Sequence, residues 1–293
     1  MITLYHCVSA RSFRPLWMLE ELQAPYQLHM LPFPPRALQR SYLDLNPLGT
    51  VPLLVDGDTR MTESAAMCQY LAERCDPDNT RGFTVRPGGT DFGAWLNWLH
   101  HGEATLTFPQ AIVLRYGRFE PAERRLPQAA DDYAKWFIAR LRGIGAVLAE
   151  HDFVCADRFT AADVSVGYAL MLASHLDLEP RFPPSVAAYW QRLQQRDGFL
   201  RAMVAQAAAA QAQEGDFINA GEQRVQAAEV GQQDGSRLRA DAGDRDPAGG
   251  GADAGLAGKI HAGARVRVAQ HADVAGAADQ ARIGQVHAGS VRA

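Results

Sequence analysis

The sequence predicts an α/β unit, then an all-helical unit, then a tail that is neither. Three observations carry this. Strand-like and helix-like apolar spacings alternate over the first 75 or so positions. Residues 91–203 show helical periodicity alone. From about Gln206 the composition changes abruptly, with Ala, Gly, Gln, Arg, Asp and Val dominating.

Residues 2–6 read as a strand. Phe13, Leu16, Trp17, Leu19 and Leu22 share a helical face, and 26–31 resume strand character, which makes a βαβ unit with a parallel pair and a right-handed crossover. A loop and a short helix near 36–44 follow. Leu53–Val55 and Thr59–Met61 form a hairpin about Asp56-Gly57, a type I′ signal. A helix from Ser64 to about Arg74 closes the unit. This order, βαβ, helix, ββ, α, is a thioredoxin-like arrangement over residues 1–76.

Turn formers from Asp76 to Gly89 mark a linker over 77–90. The helical unit spans 91–205. Its clearest local signal is Phe159-Thr160-Ala161-Ala162-Asp163-Val164: Thr160 and Asp163 form a capping box, with Phe159 and Val164 at the staple positions. The helix that follows, Val164 to Leu172, is apolar nearly all round and is therefore a buried central helix. Beyond Phe199 there is a single aromatic, Phe217, and no threonine. A stretch of that kind buries too little apolar surface to offset its ordering entropy, so 206–293 reads as a disordered tail. Read-through of GC-rich DNA would give the same composition.

The net charge of −4 offers no basic balance for nucleic acid. The start, Met1-Ile2-Thr3-Leu4-Tyr5, carries no leader pattern, and the longest apolar patch, Gly167 to Ala173, is too short to span a bilayer. A cytoplasmic protein with no membrane partner is expected. Cys7, Cys68, Cys75 and Cys155 have no metal-ligand spacing and read as reduced thiols. His100-His101-Gly102-Glu103 is not a zinc-protease pattern. No metal is expected.

The most informative stretch is Asn46 to Gly57, followed at once by Met61-Thr62-Glu63-Ser64. Pro52 has no N–H, so it belongs at a strand's first residue or an edge. A cis Val51–Pro52 bond would turn the Val51 N–H and C=O outward, as if to pair with an extended peptide. Glu63 and Ser64 open a helix, where free N–H groups and the macrodipole favour an anion. Read by itself, Ser64 is equally a plain N-cap.

The whole of 1–203 resembles the glutathione transferase superfamily. The resemblance rests on the Val51-Pro52 segment, the Thr160–Asp163 box, Ile2-Thr3-Leu4-Tyr5-His6, Arg11-Ser12-Phe13-Arg14 and Leu16-Trp17-Met18-Leu19-Glu20-Glu21-Leu22. These runs look most like a bacterial and fungal subgroup. The resemblance implies a glutathione transferase fold and glutathione as co-substrate, with no permanently bound cofactor. It also implies a small electrophile as second substrate and a homodimer. Ser64 would hold the γ-glutamyl carboxylate and Glu63 would help bind the ammonium. Val51 would pair with the cysteinyl residue by a short β-augmentation, with Thr50 and Pro52 beside it. Ser9 falls where serine-type members carry the catalytic hydroxyl, a donor to the glutathione thiolate, and the alternative is a loop serine. Arg11 would add positive potential, and Ser12 is the fallback donor. Trp98, His101, Thr105 and Phe108 share one helical face and are candidates for the second substrate, or else core. Pro109 would interrupt that helix. Two other functions stay open: a disulfide reductase or peroxidase working through Cys7, and a binding protein without turnover.

Overall fold

The computed structural model describes residues 1–212. Strand β1 (Ile2–His6) leads into helix α1 (Phe13–Leu22) and strand β2 (Tyr26–Met30). The expected short helix appears as two pieces, α2 (Pro35–Leu38) and a 3-10 turn (Arg40–Asp44). Strands β3 (Leu53–Asp56) and β4 (Thr59–Met61) precede helix α3 (Ser64–Cys75). The sheet order is β2-β1-β3-β4, with β1 parallel to β2 and the other pairs antiparallel. Leu4 stands opposite Leu28 and Leu54, so an apolar row crosses the sheet under α1 and α3.

The hairpin turn differs from the expected type. Asp56 pairs with Thr59, so the loop is Gly57-Asp58. Only Gly57 has a positive φ, +58°. That is the pattern of a II′ turn, in which only the first loop residue needs the left-handed region.

The helical part comprises α4 (Phe92–His100), α5 (Phe108–Leu114), α6 (Pro127–Leu148), α7 (Ala161–His175) and α8 (Pro184–Gln194). Residues 197–212 are also helical, so the chain stays regular past the expected boundary at 206. The remainder of the expected disordered tail, residues 213–293, lies outside the described residues. Among the described residues no helix is long and apolar enough to cross a membrane.

Pro109 does not stop its helix. The chain winds on from Phe92 to Phe119, but widens to π-type i→i−5 turns over His101–Thr107 and Arg115–Phe119. A wider turn lets the backbone pass a position that has lost its N–H. Gly102 fixes where this wide segment lies. A Cβ there would meet the Ser165 backbone at 2.5 Å, so only glycine lets the segment press on α7.

Helix α7 is buried from Ala161 to Ala173. The capping box forms as expected: the Thr160 N–H donates to Asp163 Oδ2 at 2.8 Å and the Thr160 side chain takes the Asp163 N–H in return, while also accepting from Ala162 N–H at 3.2 Å. Burial pushes the Asp163 carboxyl up to about 6, against the donors from Val154, Thr160 and Tyr189.

The linker at 77–90 joins two architectures but not two cores. One apolar cluster runs from Leu4 and Trp17 through Trp95 and Val166 to Trp190, and residues Met1–Ala205 form a single unit. The linker itself is tied down. Asp76 accepts from the N–H groups of Thr80 and Arg81, and Ala161 N–H donates to Phe83 O at 2.9 Å.

Candidate functional site

The β1–α1 loop is a tight turn. Ala10 N–H donates to Cys7 O at 3.1 Å, and Ser9 sits in the left-handed region at φ 55°. Tyr168 of α7 donates its hydroxyl to Ser9 O at 3.4 Å, which anchors the turn from the helical part. Ser12 is fully buried. Its hydroxyl accepts from Cys7 N–H at 3.3 Å and donates to Cys7 O at 3.5 Å, so it holds the loop.

Cys7 is also buried, with Sγ 3.9 Å from Pro32 O. Burial pushes its thiol up to about 12, which leaves it protonated at neutral pH. Cys7 packs with Leu31, Tyr42 and Leu53, and Ala10 and Val51 lie against the same small cluster. That cluster brings the Ser9 loop beside the Val51–Pro52 segment.

The Val51–Pro52 peptide is cis. Tyr42 Oη and Asn46 Nδ2 both donate to Thr50 O at 2.8 Å, which fixes the approach to Val51. Val51 itself lies ahead of β3, and among the described residues neither its N–H nor its C=O has a hydrogen-bond partner. The Thr50 residue is exposed, Val51 half-buried and Pro52 buried.

Glu63, not Ser64, is the N-cap of α3. Ser64 is the first helical residue, 3% exposed, and its hydroxyl accepts from Arg14 Nη1 at 3.1 Å. Glu63 is exposed, close enough to Arg11 to favour its charge.

Arg14 and Glu103 are the residues that sequence reasoning missed. The Arg14 side chain is fully buried, and all five of its N–H groups are used. Nε donates to Ser165 O (3.2 Å), and Nη1 donates to Ser64 Oγ and Glu103 Oε2. Nη2 donates to Gly102 O (3.1 Å) and Thr107 Oγ1 (2.7 Å). The Tyr168 ring lies 4.2 Å below the guanidinium. Glu103, a quarter exposed, takes Arg11 Nε on its other oxygen at 2.6 Å. Burial works to raise the Glu103 carboxyl, but Arg14 and Arg11 outweigh it and hold the group below its ordinary range. For Arg11 burial opposes the charge, and Glu103 more than restores it. One buried arginine thus ties α1, the start of α3, the wide segment after α4, and α7.

The four second-substrate candidates do not pack as one face. Trp98 packs edge-on against His101 at 5.0 Å, and Phe108 meets Tyr133 and Trp136 of α6. His101 is half-buried and its pKa is lowered, by burial first and then by nearby Arg140, also on α6. Thr105 is half-buried. Glu103 and Thr107, on the same segment, are the residues that face α1. An aromatic pair does bridge the two parts: Phe33, after β2, lies 5.4 Å from Phe119, at the end of the long helical run. Pro32, beside Phe33 in sequence, touches Cys7 at the start of the β1–α1 loop. Among the described residues no group of three or more metal-ligating side chains forms.

Residues 8–74 match the family pattern described as glutathione S-transferase, N-terminal domain. The chain is 33% identical over 206 residues to glutathione S-transferase 3 of Schizosaccharomyces pombe, covering 66% of this chain and 82% of that protein. It is 29% identical over 178 residues to glutathione S-transferase 3 of Zea mays, covering 57% and 76%. In three dimensions it matches a glutathione transferase of Phanerochaete chrysosporium, solved with oxidized glutathione, at a TM-score of 0.63 and 22% identity over 72% of this chain and 96% of that one. A Xylella fastidiosa glutathione-S-transferase matches at 0.62 and 20% identity, over 71% and 99%.

Proposed function

The chain belongs to the glutathione S-transferase family, and from that premise we propose that it transfers glutathione to small electrophiles. The observation that carries this is Val51. Its backbone N–H and C=O are unpaired among the described residues, beside the Ser9 loop. An extended Cys-containing tripeptide pairs there as one short added strand. Its γ-glutamyl carboxylate falls to the N-terminus of α3 and the Ser64 hydroxyl. Its thiol falls to the β1–α1 loop.

A free thiol has a pKa near ~8.5, and a hydrogen-bond donor lowers it by favouring the thiolate. Ser9 supplies that donor, and Arg11 adds positive potential that Glu103 partly offsets. The thiolate attacks the electrophilic carbon, the bond to the leaving group breaks, and the thiol proton passes to solvent. Ser9 forms no bond to carbon. Positioning and thiolate stabilisation are the catalysis. The electrophile sits against Phe33 and Phe119, which replace the Trp98–Phe108 face as the second-substrate wall. A related P. chrysosporium protein was crystallised with 1-(S-glutathionyl)-2,4-dinitrobenzene, which makes the corresponding dinitrophenyl halide the first substrate to assay. The buried, protonated Cys7 weighs against a reductase working through it. A cytoplasmic homodimer is the assembly this reading carries, checked by light scattering.

The experiment is retention on immobilised glutathione with turnover of the dinitrophenyl halide. Wild type is retained and active, Glu63→Ala with Ser64→Ala is neither, and Ser9→Ala is retained but raises the pKa of the bound thiol. Retention of the double variant places the ligand elsewhere.

A further inference from the structure

A serine hydroxyl has one proton and two lone pairs, whereas an arginine only donates. The contact from Arg14 Nη1 to Ser64 Oγ at 3.1 Å therefore makes the hydroxyl the acceptor in that bond. Its proton has to point elsewhere. Ser64 is 3% exposed, and among the described residues no acceptor receives that proton. The helix start thus holds a buried donor with a direction and no partner.

The same Nη1 donates to Glu103 Oε2. Ser64 Oγ and Glu103 Oε2 share one nitrogen, so they lie within two hydrogen-bond lengths of each other, about 6 Å. A free α-amino acid carries its carboxylate and its ammonium on one carbon, inside that span. Glu103 is 24% exposed and keeps spare lone pairs after binding Arg11 and Arg14. A hydroxyl donor and a carboxylate acceptor at this separation fit the two charges of such a zwitterion.

We propose that Arg14 is a positioning residue for the amino-acid end of glutathione. It aims the Ser64 proton at the ligand's α-carboxylate and holds the Glu103 carboxylate for the α-ammonium. With all five N–H groups occupied, Arg14 touches no ligand itself. The proposal rests on the reading of this site as a glutathione site and adds a division of labour to it. Arg14→Lys tests it, because an ammonium has three donors and no planar fork, so it cannot hold both partners in place.

Titration calorimetry on the full chain compares glutathione with 4-aminobutanoyl-Cys-Gly, which lacks only the α-carboxylate. A charge-assisted hydrogen bond makes wild type prefer glutathione by about tenfold or more. Arg14→Lys should erase most of that preference, weaken the analogue, which keeps the ammonium, less than it weakens glutathione, and take nothing further from the preference in the Ser64→Ala double variant. The proposal is overturned if Arg14→Lys keeps the preference, weakens both ligands alike, or adds to the loss of preference from Ser64→Ala. Thr107→Val removes one anchor of the guanidinium and covers the case in which Arg14→Lys does not fold. It should lower the same preference, and an unchanged preference there also overturns the proposal. For the ammonium, glutaryl-Cys-Gly should bind wild type less tightly than glutathione, and Glu103→Gln should close that gap. A wild type that binds glutathione no better than 4-aminobutanoyl-Cys-Gly fails differently: it removes the glutathione reading of Ser64 itself.

Discussion

Replacing Glu103 by alanine strands the Arg14 charge. Arg14 is fully buried and, among the described residues, Glu103 is its only anionic hydrogen-bond partner; the others are two carbonyls and two hydroxyls. Arg11, 40% exposed, returns to water at little cost. Removing one partner of a buried pair costs about 3–5 kcal/mol, against ~0–1 for an exposed one. The reading of Arg14 as the tie between α1, α3 and α7 therefore predicts the larger figure. At roughly 2–4 °C per kcal/mol for a unit of this size, the melting temperature should drop by about 10 °C. Urea unfolding followed by fluorescence of the buried Trp17, Trp95 and Trp190 gives the free energy. Arg14→Met with Glu103→Met, which removes both charges, should cost less than the two single changes summed. A loss below about 1 kcal/mol for Glu103→Ala, or strict additivity in the double variant, would refute the argument. The pH dependence has a fixed sign. Glu103 is held below its ordinary range, so its stabilisation is complete above the unfolded pKa near ~4.3 and fades as pH falls through the folded value. Glu103→Gln should flatten that acid limb.

Three further outcomes follow from the same geometry. Burial pushes the thiols of Cys7 and Cys68 up to about 12, while Cys75 is more open, so alkylation of the native protein at pH 8 should label Cys75 first. Peptide mapping that finds Cys7 labelled first would reopen the reductase reading. Phe119→Ala or Phe33→Ala should raise KM for an aromatic electrophile while calorimetry shows an unchanged glutathione Kd; an unchanged electrophile KM would remove the pair from the site. Gly102→Ala drives a Cβ to 2.5 Å from the Ser165 backbone and should cost upward of about 2 kcal/mol in a urea titration, with normal stability showing that the wide segment can shift.

What was legible in the sequence was what is local. The strands, α1, α3 and the box at Thr160 follow from spacings within a dozen residues, and each forms where its pattern lies. The Val51–Pro52 and Glu63–Ser64 features were legible for the same reason: a missing N–H and a helix start carry their chemistry with them. The Trp98–Phe108 face is crossed by a change of period. Positions that share a side at 3.6 residues per turn drift apart where bonding widens to i→i−5, as it does from His101 to Thr107. So Phe108 turned toward α6, while Glu103 and Thr107 turned toward α1.

Arg14 was hidden by distance, because Glu103 lies 89 positions away and Ser165 lies 151 away. It nevertheless left one local trace. It stands in Phe13-Arg14-Pro15-Leu16-Trp17-Met18-Leu19, where a solvated arginine would need a polar face and the helix has almost none: nine of its ten residues are buried. An arginine set in such a run has to find acceptors inside the protein, and five N–H groups need several of them at once. Only backbone carbonyls and side chains from more than one element can supply that many. A lone arginine in an apolar helix therefore marks a place where elements converge. In this chain they converge at Ser64, beneath the start of α3.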